Sequence, residues 1–529
     1  MTGPPAQERH ADARLALALG VVAAGLALVL ALGPLQGIAH VSDEVAYTLQ
    51  AKLFAAGMRV GPPADEPSMW LYPFWQAGPE SFAVFPPGWP ALLAAGEVVG
   101  APWAVNALLA GLLPGLTLLL SRAWGRPADE ARLAATVAAL SPGVVLLAGS
   151  RMSHTSVLVA LLAALVVVER RRDPPWAWLL GGLGLAYVVL ARPFDAALLA
   201  APLWALGLWR LRGSSVALRP PFGTVLVWTL PAVLSAGLLL VDNLARTGDA
   251  FTFAVGPWFD AWVADMGRGP GCNALGFGAD RGCHPTYGSW GHDPDKALRF
   301  ASETLVLLDR FLLGLPGGLL LAVVGGLRLR RALPLVAAVL VVVGYALYWS
   351  PGNVFGARFW HPLYAVLPVL VAAGLSALPG ALRAWLPPFL LAGACLVGLG
   401  RAAVELAPGY WCVNGTLPRM MAAQGVDQGL LFVAGGGSRQ DGWPWLGRPE
   451  FRCDPMLATG AAFQLADPSR STGGLQVRHA LSSMAELQAF RARYHPQAPA
   501  WLATYDLPAD AWRLQRLPEP PPDPAAPAP

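Results

Sequence analysis

The chain has 529 residues, of which 55% are hydrophobic and only 13% charged, and its mean hydropathy is +0.48. Because a soluble domain carries about 25% charged residues, this composition excludes an ordinary soluble protein and indicates a polytopic membrane protein. The net charge of +4 comes from arginines at the ends of apolar segments and not from one basic patch, so nucleic acid is not an expected partner.

The apolar segments predict about eleven spanning helices, since roughly 18 apolar residues cross a bilayer. They are expected near residues 15–37, 102–121, 132–149, 153–169, 176–191, 194–209, 222–245, 304–327, 333–349, 359–377 and 384–401. Asp309 and Arg310 interrupt the eighth segment. An amphipathic helix over residues 293–310 is expected to lie on the membrane and to lead into it.

Arginine-rich and arginine-poor connections alternate along the chain, and this alternation predicts the orientation. The rich ends carry Arg9, Arg14, Arg122, Arg126, Arg132, Arg170, Arg171, Arg172, Arg210, Arg212, Arg219, Arg328, Arg330, Arg331 and Arg383. The other side has single arginines at Arg151, Arg192 and Arg358. We therefore expect a multi-pass protein of the cytoplasmic (inner) membrane with a cytoplasmic N-terminus. Loops 40–101 and 246–300 and the segment after residue 401 are expected to be extracytoplasmic.

Four of the five cysteines lie in these outward segments. Cys272 and Cys283, and likewise Cys412 and Cys453, are candidates for disulfides in an oxidising compartment. The alternative for the first pair is a metal site with His284 and His292, although its spacing matches no standard zinc pattern.

The C-terminal part differs in kind from the apolar segments. "GLLFVAGGGS" and "APAWLATYDL" are typical of strands, and "SSMAELQAFRARY" is typical of a helix with a serine cap. The sequence thus predicts a transmembrane domain over residues 1–401 and a small extracytoplasmic α/β cap over 402–516. A disordered Pro/Ala tail is expected over 517–529. The predicted fold class is an all-α polytopic membrane protein with this small α/β domain.

Ionisable residues are nearly absent from the middles of the apolar segments and gather at their outward ends. They are Asp43, Glu44, Arg151, His154, Arg192, Asp195, Asp242, Arg246, Arg358 and His361. A transporter needs polar groups near the bilayer midplane, whereas this pattern indicates a reaction site at the interface. Arginines there can pair with the phosphate of a lipid-linked substrate, and a carboxylate can take a proton from an acceptor hydroxyl.

The first outward loop adds two amphipathic segments. "DEVAYTLQAKLFAAG" has helical spacing of its apolar residues and is expected to lie flat on the membrane with its carboxylates at the N-terminus. A second such helix is expected over residues 87–100. The aromatic residues between them suit an interfacial belt or stacking on sugar rings.

The sequence resembles the GT-C superfamily of membrane glycosyltransferases, and within it the bacterial relatives of protein O-mannosyltransferases and lipid A aminoarabinose transferases. The matching segments are "SDEVAYTLQAKLFAAG", "FPPGWPALLA", "SRMSHTSVL", "ARPFDAALLAAP" and "GARFWHPLYAVLP". The resemblance covers roughly residues 15–401. It implies a polyprenyl-phosphate-linked sugar donor, and the missing WWDYG signature argues against oligosaccharide transfer to asparagine.

The resemblance also assigns site residues. Asp43 matches the catalytic acid of the family, and Glu44 beside it is taken with it as a catalytic candidate. Arg192 and Arg358 match positions expected to hold the donor phosphate. Further residues are expected to line the pocket without an assigned role: Arg151, His154, Tyr47, His292 and Asp293. An adjacent acidic pair binds a metal in some branches, but we expect no essential metal or other cofactor here.

Each assignment has a simpler structural alternative. Asp43 and Glu44 can serve only as a helix cap, and Arg192 and Arg358 can bind bulk lipid headgroups. His154 can be a structural hydrogen-bonding residue, and His292 with Asp293 can cap the helix that follows.

The sequence therefore predicts an inverting glycosyltransferase with Asp43 as general base, acting on an extracytoplasmic acceptor hydroxyl of a protein, lipid or glycan. The alternatives are a polytopic lipid flippase or sugar transporter, and a noncatalytic membrane scaffold that presents the cap.

Overall fold

The computed structural model describes residues 6–70, 72–170, 174–212, 222–470, 474–480 and 483–519. These residues form a large helical bundle followed by a small sheet domain, the cap. The helices of the bundle and its loops are α1 (Ala6–Leu32), α2 (Ser42–Ala55), α3 (Gly88–Val98), α4 (Pro102–Ala123), α5 (Ala128–Leu140), α6 (Pro142–Gly149), α7 (His154–Arg170), α8 (Pro175–Ala191), α9 (Pro193–Arg212), α10 (Phe222–Thr247), α11 (Val255–Ala264), α12 (Pro294–Leu313), α13 (Gly318–Leu329), α14 (Ala332–Ala346), α15 (Leu367–Leu375) and α16 (Gly380–Cys412). A 3-10 segment, Arg358–Ala365, precedes α15.

Five of the described helices, α1, α4, α9, α10 and α16, are long and apolar enough to cross a membrane. The number rises to eight if the bent pairs α5–α6, α12–α13 and Arg358–Ala365 with α15 each count as one span. Helices α8 and α14 are shorter apolar helices. Each of the predicted apolar segments overlaps a helix or a bent pair, so the chain is a multi-pass helical membrane protein, while the count of about eleven spans stays a prediction.

The predicted eighth span is wrong as a single helix. Helices α12 and α13 meet at an angle of 85°, because Gly314 (φ +72°) and Gly317 (φ +105°) take left-handed conformations on either side of Pro316. The Asp309 carboxylate accepts the backbone N–H groups of Gly317 (2.8 Å) and Leu319 (2.7 Å) and so caps α13. The amphipathic helix expected over 293–310 is present as α12.

Several of the arginines that the sequence assigns to one side lie at the end of the bundle where α1 begins, whereas Arg171, Arg172 and Arg219 lie outside the described residues. There they form ion pairs between helices: Arg122–Glu8 (2.5 Å), Arg132–Asp12 (2.7 Å), Arg210–Glu169 (2.9 Å), Arg331–Glu169 (3.3 Å) and Arg328–Glu130 (3.4 Å). The opposite end, where α1 ends, carries the cap and is called the cap end below.

Helix α2 forms at its predicted position but does not lie open on a surface. One face contributes Tyr47 and Ala51 to the core of the bundle, and the other contributes Val45, Leu49 and Leu53 to the core of the cap. Its Lys52 Nζ donates to the backbone carbonyls of residues 464 (2.6 Å) and 466 (2.9 Å) in the cap. Helix α2 is therefore buried between two hydrophobic cores and not exposed on an open surface, and its orientation relative to the membrane stays a prediction.

The cap contains helices α17 (Thr416–Ala423), α18 (Pro455–Ala458), α19 (Gly460–Phe463) and α20 (Met484–Tyr494). A hairpin in the first loop has strands β1 (Trp75–Gln76) and β2 (Phe82–Ala83), and the cap has strands β3 (Gly429–Gly436), β4 (Arg439–Trp443), β5 (Arg448–Cys453), β6 (Leu475–His479), β7 (Ala500–Asp506) and β8 (Ala511–Arg516). Its four-stranded sheet has the order β6-β3-β7-β8, with β3 parallel to β6 and β7, and β8 antiparallel.

The strands and the helix predicted from the cap sequence are confirmed as β3, β7 and α20. Ser483 and Glu486 form a capping box at the start of α20. Helix α16 runs on to Cys412, beyond the end predicted at residue 401. Of the predicted tail, the backbone N–H of Leu517 still donates to the Ala500 carbonyl (2.8 Å), and residues 520–529 lie outside the described residues.

Both candidate cysteine pairs are disulfides. Cys272 is bonded to Cys283 within the second loop, and Cys412 at the end of α16 is bonded to Cys453 at the end of β5. His284 packs edge-on against Trp349, and His292 Nε2 lies 2.9 Å from the Ala346 carbonyl oxygen. The alternative of a metal site on Cys272 and Cys283 is therefore wrong, because each sulfur is bonded to the other.

Candidate active site at the cap end

Asp43 and Arg358 meet at the cap end of the bundle. Asp43 is in the first turn of α2, and Arg358 begins the 3-10 segment that leads into α15. Arg358 Nη1 lies 3.3 Å from Asp43 Oδ1, and the two side chains are 11% and 15% exposed. Arg358 Nε is buried without a hydrogen-bond partner among the described residues. Asp43 and Arg358, both expected in the site, thus form a partly buried ion pair.

Arg192 is held in a separate, closed network. Its Nε donates to Asp195 Oδ2, and its Nη2 donates to Tyr345 Oη (2.9 Å). Tyr345 Oη in turn donates to Asp195 Oδ1 (2.6 Å). Asp195 is fully buried, so this carboxylate neutralises Arg192 and fixes its direction at the junction of α8 and α9.

The ring of Phe359 joins the two arginines into one cluster. The guanidinium carbons of Arg358 and Arg192 lie 5.0 and 5.7 Å from its centroid, within the range of cation–π attraction. Tyr345 stacks on the same ring at 4.8 Å, and His154 at 6.4 Å. Four separated segments therefore converge here, namely the starts of α7 and α9, the end of α14 and the 3-10 segment.

Glu44 faces the backbone. Its carboxylate accepts the N–H groups of His40 (2.9 Å), Val41 (3.0 Å) and Arg151 (2.6 Å), and the residue is 1% exposed. Two of these bonds close the N-terminus of α2 and the third ties α2 to the connection before α7. An acidic residue at the third helical position is a known capping signal, and the geometry favours a positioning role for Glu44.

Of the predicted pocket residues on α2 and before or on α7, Tyr47 interacts with Asp43, whereas Arg151 and His154 contact other residues of the cluster. Arg151 donates to Thr48 Oγ1 (3.1 Å) and to the Gly37 carbonyl (2.6 Å). These hydrogen bonds connect the segment before α7 to α2 and to the loop before α2. Tyr47 packs on Phe85 with ring centroids 4.7 Å apart. Burial, together with the nearby Asp43 charge, raises the pKa of Tyr47 to about 12. His154 is 2% exposed, and its ring nitrogens have no hydrogen-bond partner among the described residues.

The two predicted pocket residues before α12 have structural contacts. Asp293 Oδ1 accepts the Lys296 N–H (2.8 Å) and is the N-cap of α12. His292 lies between the rings of Phe277 and Phe300 and contacts the last residue of α14. Among the described residues, no hydrogen bond, ion pair or ring contact joins His292 or Asp293 to Asp43. The helix-capping alternative accounts for Asp293.

Sequence reasoning missed four residues of the site. Tyr345 and Phe359 carried no signal, because aromatic residues at the ends of apolar segments are common. Tyr410 accepts the Phe355 N–H through its Oη (3.1 Å), and Arg448 Nε donates to the Asn353 carbonyl (3.1 Å). These last two come from the end of α16 and from the cap, where no motif pointed to the site.

No protein-family model matches the sequence, and no curated protein matches it significantly. Among solved structures, the chain is similar to ArnT from Cupriavidus metallidurans bound to undecaprenyl phosphate, at 15% identity and a TM-score of 0.46, over 86% of this chain and 76% of that one. It is also similar to the archaeal oligosaccharyltransferase AglB from Archaeoglobus fulgidus in complex with an inhibitory peptide and a dolichol-phosphate. That match has 14% identity and a TM-score of 0.36, over 74% and 56% of the two chains.

Proposed function

We propose that the protein is an inverting membrane glycosyltransferase that moves a sugar from a polyprenyl-phosphate donor to an extracytoplasmic acceptor hydroxyl. The observation that carries this proposal is the meeting of Asp43 and Arg358 in a partly exposed ion pair, beside an arginine that Asp195 and Tyr345 hold in place. An acid beside two arginines at a helix-bundle rim suits a substrate with a lipid tail, a phosphate and a sugar.

In this proposal the acceptor hydroxyl gives its proton to Asp43 as its oxygen attacks the anomeric carbon of the sugar. The bond from that carbon to the phosphate oxygen breaks, and its electron pair stays on the phosphate. Because this leaving group is a stable anion, no strong general acid is needed. Arg192 and Arg358 stabilise the charge that grows on it. A single displacement of this kind inverts the anomeric configuration.

The ion pair explains how the base is controlled. In the unloaded site the Asp43 carboxylate is engaged by Arg358. The donor phosphate offers Arg358 a second anion, so Asp43 is released for the acceptor hydroxyl only when donor is bound. Arg192 stays with Asp195 throughout, since that carboxylate is buried in the same network. The enzyme thereby limits proton abstraction to the loaded site.

We further propose that the reaction needs no essential metal. The Glu44 carboxylate accepts hydrogen bonds from three backbone N–H groups, and Asp43 is paired with Arg358. Neither carboxylate belongs to a cluster of three potential metal ligands within the described part of the chain. We interpret Glu44 as the residue that positions Asp43.

The orientation is part of the proposal. Both disulfides lie on segments joined to the cap end, which suits an oxidising compartment. The interhelical arginine pairs lie at the other end, which suits the cytoplasmic side. We therefore assign the cap to the extracytoplasmic face of the inner membrane and the N-terminus to the cytoplasm.

The test is mass spectrometry of lipid-linked sugars and surface glycans in a deletion strain, complemented with the wild type or with Asp43→Asn. We expect the deletion to accumulate a polyprenyl-phosphate sugar and to lose that sugar from an acceptor. The wild type should reverse both changes and Asp43→Asn neither. A flippase or transporter would keep its activity in Asp43→Asn, so full complementation by this variant would refute Asp43 as the base.

A further inference from the structure

Arg448 of the cap lies next to the segment that carries Arg358. It is the first residue of β5, a strand that is fixed by pairing with β4 and by the Cys412–Cys453 disulfide. Its Nε donates to the Asn353 carbonyl (3.1 Å), five positions before Arg358. Its guanidinium lies 6.0 Å from the ring centroid of Trp411. The cap therefore holds this arginine over the rim of the candidate site.

Arg448 is half-buried, but it has no carboxylate within ion-pair distance among the described residues. Burial is the main factor that lowers the pKa of Arg448, and the positive charge of Arg358 lowers this pKa further. The nearby Tyr410 raises it. Glu303 also acts on Arg448 but forms its ion pair with Arg299 (3.5 Å). Holding an uncompensated cation beside a second arginine is unfavourable, which points to an anion supplied by a ligand.

We propose that Arg448 is a third ligand of the donor phosphate, so that the cap completes the active site. This inference rests on the proposed glycosyl transfer. Asp43 with Arg358 and Asp195 with Arg192 are two neutral pairs, and Arg448 adds one net positive charge. The phosphodiester of a polyprenyl-phosphate sugar carries one negative charge, so the loaded site is neutral.

The same count holds after transfer. When Asp43 has taken the acceptor proton it is neutral, and the site has two net positive charges. The bond to the sugar has broken with its electron pair on the phosphate, which then carries up to two negative charges. With Arg448 included, the charge of the site balances both donor and product, and this is what a low-dielectric site requires.

An anionic group of the acceptor can pair with Arg448 in the same way as the donor phosphate. A binding experiment without acceptor distinguishes the acceptor anion from the donor phosphate. Purified full-length protein in lipid nanodiscs is titrated with undecaprenyl phosphate and, as the uncharged control, with undecaprenol. The variants are Arg448→Gln, Arg448→Lys and the matched control Arg452→Gln, which changes an exposed arginine on the same strand. Unfolding temperatures of the variants check that the cap stays folded.

We expect Arg448→Gln to weaken binding of undecaprenyl phosphate about 10- to 100-fold, as for a lost charge-assisted hydrogen bond. Arg448→Lys should lose less, and Arg452→Gln and all undecaprenol affinities should not change. Unchanged affinity for the phosphate in Arg448→Gln would overturn this inference while leaving the proposed function intact. A wild type that does not prefer the phosphate to the alcohol would overturn the proposed function and this inference together.

Discussion

Asp43 Oδ1 and Arg358 Nη1 lie 3.3 Å apart although 315 positions separate them in the chain. The pair joins the first turn of α2 to the segment before α15, and it is partly exposed on both sides. Because both side chains keep some contact with solvent, an incoming anion can displace the carboxylate from Arg358. This exchangeability distinguishes it from the closed Arg192–Asp195–Tyr345 network and is the basis of the first prediction.

The Asp43→Asn variant should bind polyprenyl phosphate more tightly than the wild type. The change removes both a competitor for Arg358 and a negative charge near the phosphate, and we expect about a tenfold gain in affinity. Transfer should fall by about 100-fold or more, as for loss of a general base. Titration with undecaprenyl phosphate in nanodiscs measures the first effect. Weaker binding in this variant would contradict the proposed exchange of partners.

The Arg192→Gln variant should be strongly destabilised, because it leaves the buried carboxylate of Asp195 without its counterion. Removal of one partner of a buried pair costs about 3–5 kcal/mol. The matched control is Tyr345→Phe, which removes one hydroxyl from the same network and should cost about 1–2 kcal/mol. Thermal unfolding of purified protein in detergent measures both. Equal effects of the two changes would contradict the role of Arg192 as the counterion of Asp195.

The Glu44→Gln variant should distinguish a positioning residue from a catalytic one. Its carboxylate accepts three backbone N–H groups, so the change should cost about 1–3 kcal/mol of stability and reduce kcat less than Asp43→Asn does. Glu80→Gln, at an exposed position of the same loop, is the control. A loss of transfer as large as that of Asp43→Asn, without a fall in unfolding temperature, would assign a catalytic role to Glu44.

The free energy of unfolding should rise in alkaline solution because of Lys52, which α2 buries against the cap. Burial is the main cause that lowers the pKa of Lys52 from 10.5 to about 8. The charge of Arg151 also lowers this pKa, whereas the charges of Glu97 and Asp467 raise it. Below pH 8 the lysine is charged in the folded and unfolded states, and the cost of burying the charge is fully present. Between about pH 8 and 10.5 only the unfolded state keeps the proton, so stability rises with pH.

The measurement is the unfolding temperature of the wild type and of Lys52→Met between pH 7 and pH 10. We expect the wild type to gain on the order of 1–2 kcal/mol relative to the variant across this range. The methionine keeps the length of the side chain and removes the titrating group. Parallel pH profiles for the two proteins would show that Lys52 does not titrate in this range.

Much of the fold was predictable because it depends on local patterns. Apolar segment length predicted the helices, and the spacing of "DEVAYTLQAKLFAAG" predicted α2. The segments "GLLFVAGGGS" and "APAWLATYDL" predicted two strands of the cap, and a serine cap predicted the start of its helix. The bend between α12 and α13 depends on Gly314 and Gly317 in left-handed conformations, which is also local, but an apolar sequence conceals it when only hydropathy is read.

The sequence by itself determined that this is a membrane protein, that the ionisable residues that intrude into its apolar segments do so at their outward ends, and that Asp43 and the two arginines are the candidates for chemistry. Only the tertiary structure decided which of them meet. It paired Asp43 with Arg358, enclosed Arg192 with Asp195 and Tyr345, turned Glu44 to the backbone and brought Arg448 of the cap to the rim. The physical reason is that hydropathy and helix periodicity act over a few turns, whereas an ion pair or a shared ring depends on how distant helices pack.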